Sequence, residues 1–240
     1  MIETFGRKRR QLLIGVSLVS GGLLVPATGL VGRAFALPEK GKEEDKNEEV
    51  SPAEDLMREH GALNRVLLIY GEELHRLEAK QDVDVGVLAS AADIIRHFVE
   101  DYHEKLEEDY LFPRFRKAGK LVDLVDTLLQ QHQAGRRLTE QIRALAVAAT
   151  LKDETKRQQL MEALRSFIRM YRPHEAREDT VLFPAFRGIV SPHEYDALGE
   201  QFEKKEDELF GEDGFFKIVD QVAELEKKLG IYDLAQFTPK

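Results

Sequence analysis

Apolar positions along most of this chain recur with helical spacing, and no stretch alternates with period two, so the pattern predicts helices and no sheet. The first helix opens at Ser51-Pro52-Ala53-Glu54, where a serine cap, a proline in the first turn and a glutamate complete a capping box. It runs to about residue 80, and 82–86 breaks it. A second helix is expected over 87–110, ended by Leu111-Phe112-Pro113, because proline removes a donor and crowds the preceding turn. A third spans 121–149, and a fourth begins near Asp153 and stops before Leu182-Phe183-Pro184. Ser191-Pro192-His193-Glu194 repeats the first cap and opens a fifth, and a last helix follows 211–214 and stops at Gly230.

The second pattern is a repeat. His103-Glu104-x-x-Glu107 lies nine residues before Phe112-Pro113, and His174-Glu175-x-x-Glu178 lies nine before Phe183-Pro184, an offset of 71. A single histidine precedes each motif: His60 by 43 residues and His132 by 42, within the similar words Glu59-His60-Gly61-Ala62 and Gln131-His132-Gln133-Ala134. The unit is a helical hairpin used twice, so the expected fold is all-α, an up-down four-helix bundle with two additional C-terminal helices.

Residues i and i+4 stand one turn apart on one helix face. His103 with Glu107, and His174 with Glu178, can therefore enter one cavity, which two packed hairpins would complete with His60 and His132. Two carboxylates can bridge two cations while imidazoles fill terminal positions. The chain has no cysteine, which excludes disulfides, zinc ribbons, iron–sulfur clusters and thiol catalysis. Nitrogen and oxygen donors without sulfur suit iron or manganese.

The series His … His-x-x-x-Glu … His … His-x-x-x-Glu, with Leu-Phe-Pro after each pair, resembles the haemerythrin-like (HHE cation-binding) domain over about 51–190. The resemblance implies a centre of two non-haem iron ions with His60, His103, His132 and His174 as nitrogen ligands and Glu107 and Glu178 as bridges. Two departures stand out. Where the family's oxygen carriers have a further histidine one turn after the third-helix histidine, this chain has Arg136, and the first-helix equivalent is Asn64. The carriers also place the second bridging acid five residues after its histidine, which is Asp179, whereas the internal repeat favours Glu178. The open position beside Arg136 invites a water, Glu104, Glu175 or a tyrosine such as Tyr102 or Tyr171.

Composition and charge then set the context. Residues 1–36 carry a net charge of +4, so the remainder carries −13 against −9 for the whole, a surface that repels phosphate backbones. Arg7-Lys8-Arg9-Arg10 precedes an uncharged, glycine-rich run to Gly32, and Ala34-Phe35-Ala36 has the small-x-small form of a signal-peptidase site. Arg9-Arg10-Gln11-Leu12-Leu13 resembles a twin-arginine signature. Residues 1–36 are expected to be a signal peptide, with an uncleaved anchor as the alternative; 37–50 reads as a charged linker. The mature chain is expected outside the cytoplasm, periplasmic or secreted, without stable membrane insertion.

Among the remaining residues, His75, His97 and His193 have no repeat partner and read as ordinary surface or core histidines, and Glu108, Asp109 and Glu175 as solvated charges. Phe112 and Phe183 read as plugs closing the bundle end. The apolar positions Phe202, Leu209, Phe210, Phe215, Phe216, Ile218, Val219, Val222 and Leu225 in 191–240 form a helical hairpin that packs on the bundle, a homodimer being the alternative. With no catalytic acid, base or nucleophile beyond the ligand set, the expected function is O2 binding as carrier, store or sensor. The alternatives are oxidase or peroxide chemistry, and iron handling or repair of nitrosative damage.

Overall fold

The computed structural model describes residues 51–239, so the expected signal peptide and linker lie outside the described residues. Six helices account for most of this region. They are α1 (Pro52–Ala79), α2 (85–118), α3 (Val122–Leu145), α4 (154–186), α5 (Pro192–Phe210) and α6 (Gly214–Leu229). Helix starts follow the capping chemistry in the sequence: Ser51 Oγ accepts the Glu54 N–H, Ser191 Oγ accepts the Glu194 N–H, and Asp84 and Asp153 cap α2 and α4. No strand occurs among the described residues, and no described helix is long and apolar enough to cross a membrane.

Helices α1 to α4 close a ring in which each packs on its chain neighbours and α4 returns to α1. Its core includes Leu63, Val66, Tyr70, Leu164 and Phe167, all essentially inaccessible, while Phe98, equally buried, meets Phe210 and Phe215. The C-terminal pair lies outside this ring: α6 packs on α1 and α2, and α5 on α1. Phe202 and Val222 are fully covered there, Arg65 clasps Glu226, and Arg76 Nη2 donates to the Leu229 carbonyl at 2.7 Å. Leu209 remains 60% exposed.

The structure corrects the expected stops at Pro113 and Pro184. Helical backbone continues through both prolines, to Ala118 in α2 and Phe186 in α4. The reason lies one turn earlier, where Glu107–Leu111 and Glu178–Leu182 are π-helical, with the Phe112 N–H bonding the Glu107 carbonyl and the Phe183 N–H the Glu178 carbonyl. A widened turn gives the proline ring room, and each proline falls in the first turn of the next α-segment, where a missing donor costs nothing. Both widened turns begin at the glutamate of a His-x-x-x-Glu motif, and a further π-helical stretch, Ile95–His103, delivers His103.

Candidate metal centre

Helix α1 supplies His60, α2 His103 and Glu107, α3 His132, and α4 His174 and Glu178. All six are buried, at most 4% exposed, and the structure brings them together at one level of the bundle. They form two clusters whose donor atoms lie within 4.8 Å: His60, His103 and Glu107, and His132, His174 and Glu178. The rings pair accordingly, with centroids 4.7 Å apart for His60 and His103 and 5.1 Å for His132 and His174.

The carboxylates link the clusters. Glu107 Oε2 lies 3.9 Å from His103 Nε2 and 3.3 Å from His132 Nε2. Glu178 Oε2 lies 3.4 Å from His60 Nε2 and 3.1 Å from His174 Nε2. Each glutamate thus reaches one imidazole of each pair. Neither oxygen of Glu107 or Glu178 has a hydrogen-bond partner, and neither has His132 Nε2. Two buried carboxylates without donors are costly unless a cation compensates them, so the donor set fits a pair of metal ions.

Every imidazole turns Nε2 inward and gives Nδ1 to an oxygen acceptor. His60 Nδ1 donates to Asp179 at 2.7 Å, His103 Nδ1 to Glu59 at 2.8 Å, His132 Nδ1 to Glu108 at 3.1 Å and His174 Nδ1 to Gln131 at 2.9 Å. The acceptors hold each ring with Nε2 turned toward a cation, and without one His60 Nε2 and His103 Nε2 hydrogen-bond each other at 3.1 Å. Phe183 stacks on His60 and Phe112 on His132, with centroids 5.4 and 5.5 Å apart, so the plugs of the bundle also hold the rings.

The residues whose roles the sequence leaves open are placed as follows. Glu178 faces the cavity, whereas Asp179, one residue on, serves His60 from outside. Arg136 turns to Glu104 and Glu108, each at 2.8 Å, and Asn64 turns to Glu175. The hydroxyls of Tyr102 and Tyr171 go to Glu59 and Glu104. Glu108 and Glu175 are not solvated charges: Glu175 is 2% exposed, and Glu108 is gripped by His132, Lys105 and Arg136. Asp109, by contrast, is exposed, as are His75, His97 and His193. Glu59, Gln131, Glu108 and Asp179 are unforeseen partners of the imidazoles, although the repeat pairs Glu59 with Gln131 and Glu108 with Asp179.

Electrostatics follow from the crowding. Burial alone would lower the pKa of His60, but Asp179 and Glu178 outweigh it and hold the pKa well above the ordinary value. His132 is likewise raised, burial being outweighed by Glu104, Glu107 and Glu108. Burial and the neighbouring His60 push His103 down. Burial and the Glu178 charge raise Glu107, while His174 and His60 overcome burial to hold Glu178 well below the usual carboxylate range. Without metal, protons take the place of cations.

Gly135 of α3 makes room for this arrangement, since an added Cβ would lie 2.0 Å from Tyr171 Oη. Alanine at an open helical site gains up to about 1 kcal/mol over glycine. Here Gly135→Ala is expected instead to destabilise by about 1–3 kcal/mol through overpacking, displacing the Tyr171 hydroxyl from Glu104. Urea denaturation checks the sign, and a variant as stable as the parent would refute the steric argument.

The family model described as the hemerythrin HHE cation binding domain matches residues 51–186, and also 123–212. Uncharacterised proteins of Mycobacterium tuberculosis and Mycobacterium bovis are 49% identical over 233 residues, covering 96% of this chain and 91% of theirs. No solved structure matches.

Proposed function

The chain belongs to the haemerythrin HHE cation-binding family, and on that footing we propose that it is a non-haem di-iron protein that binds O2 outside the cytoplasm, as a carrier, store or sensor. The observation that carries this reading is the pair of buried, hydrogen-bond-free carboxylates, each spanning one imidazole of either cluster. His60 and His103 would hold one ion, His132 and His174 the other, and Glu107 and Glu178 would bridge them. The reduced iron pair supplies the redox chemistry of O2 uptake.

The protein's own groups prepare the site. Outer acceptors lock all four imidazoles with Nε2 inward, so little ordering is needed when cations enter. Phe112 and Phe183, both buried, stack on His132 and His60 and keep bulk water from that side of the donor level. The basic stretch at Arg7–Arg10 and the Ala34-Phe35-Ala36 site support an exported location. A second reading, peroxide or oxidase chemistry, is favoured by Arg136, which occupies the family carriers' extra-histidine position yet is held by Glu104 and Glu108, leaving two imidazoles for each ion.

Anaerobic loading with ferrous iron, followed by admission and removal of air, tests the proposal. Two irons per chain and a visible absorption that appears with air and fades without it are expected. Irreversible oxidation would transfer the assignment to the second reading, and absence of iron uptake would refute both.

A further inference from the structure

The two halves of the centre differ in what stands behind the ligands. Glu59 and Gln131 occupy equivalent positions, one residue before His60 and His132. Their side chains accept from the histidine of the second helix in each hairpin: Glu59 from His103 at 2.8 Å, Gln131 from His174 at 2.9 Å. An anionic acceptor makes an imidazole a stronger donor to a cation than a neutral amide does. The remaining pair differs in the same sense. His60 leans on Asp179, while the carboxylate behind His132, Glu108, is shared with Lys105 and Arg136.

One turn further along, the asymmetry continues. Four residues after His60 stands neutral Asn64, bonded to the buried Glu175. Four residues after His132 stands the Arg136 guanidinium, paired with the buried Glu104. A cation arriving between His60 and His103 therefore meets imidazoles backed by the carboxylates of Glu59 and Asp179. One arriving between His132 and His174 meets carboxylates whose charge Arg136 and Lys105 already offset.

Resting on the di-iron reading above, we infer that the two cation positions are unequal: the position of His60 and His103 fills first and retains its ion, and that of His132 and His174 is the weaker, exchangeable one. Glu59 and Gln131 are the positioning residues that set the difference, and at limiting iron the chain carries a single ion on the α1–α2 side.

The test is an anaerobic calorimetric titration of the metal-free full chain with ferrous iron. Two steps at least about tenfold apart are expected, the size typical of an altered outer hydrogen-bond partner. Glu59→Gln should weaken the first step by about tenfold and leave the second in place, whereas Gln131→Glu should tighten the second by about tenfold. His174→Ala should keep one tight site and His103→Ala one weak site. Melting of the metal-free variants verifies that each is folded. Two equal steps, the reverse order in the histidine variants, or a Glu59→Gln loss shared equally by both steps would overturn the inference while leaving the di-iron reading intact. Failure of the parent protein to bind iron would overturn that reading itself.

Discussion

Glu107→Gln is expected to leave the metal-free fold nearly as stable as the parent while removing most of the rise in melting temperature that metal confers. The Glu107 side chain is completely buried, its oxygens have no hydrogen-bond partner, and burial together with the Glu178 charge favours its protonated form. Glutamine has the same shape as that neutral acid, so the substitution opens no cavity and adds no charge. A cation, however, is held by the ionised carboxylate that spans His103 and His132. An ion present at a thousandfold its dissociation constant stabilises the native state by about 4 kcal/mol. In a domain of this size that is roughly 8–16 °C. Thermal melting with and without ferrous iron measures both quantities. A Glu107→Gln protein that keeps the full metal increment would show that this carboxylate does not hold the ions.

The second large effect is with pH. Burial raises Glu73 and Glu100 to about 7 and Glu175 to about 8. His60 and His132 are also raised. A group whose folded pKa exceeds its unfolded value contributes stability below the unfolded pKa and loses it as pH rises through the folded one. For the carboxyls the loss begins near the ordinary value of 4.5 and is complete above about 8; for the histidines it begins near 6.5. His103, lowered by burial and by His60, runs the other way, one group against six once Glu107, raised to about 8, is counted with the others.

Each unit of displacement is about 1.4 kcal/mol, so Glu100 and Glu175 alone cost several kcal/mol across this window. The metal-free protein should therefore melt on the order of 10 °C lower at pH 8 than at pH 5. Cations require His60, His132 and Glu107 without their protons, so metal affinity rises over the same range. The gap between metal-loaded and metal-free melting temperatures should widen with pH. A metal-free melting temperature unchanged between pH 5 and 8 would contradict this account.

The helices were legible because they rest on local chemistry: Ser51 and Ser191 cap as their capping boxes direct, and Asp153 opens α4. The six inward residues were legible for a different reason. Each hairpin repeats the same lone histidine and His-x-x-x-Glu, and i,i+4 geometry is a property of one helix, independent of its neighbours. The passage of helices through Pro113 and Pro184 was not legible, because proline breaks an α-turn, and only the assembled structure shows that the turns before it are π-helical.

The surroundings of the centre were decided by tertiary structure alone. Asp179 on α4 serves His60 on α1, Glu108 on α2 serves His132 on α3, and Arg136 on α3 reaches back to Glu104 on α2. Glu175 is charged in sequence and exposed by any local rule, yet the closing of α4 against α1 buries it beside Asn64. Spacing along one helix tells which side chains share a face. Which face another helix covers, and so which charge is desolvated and which histidine it supports, depends on how the ring of four helices closes.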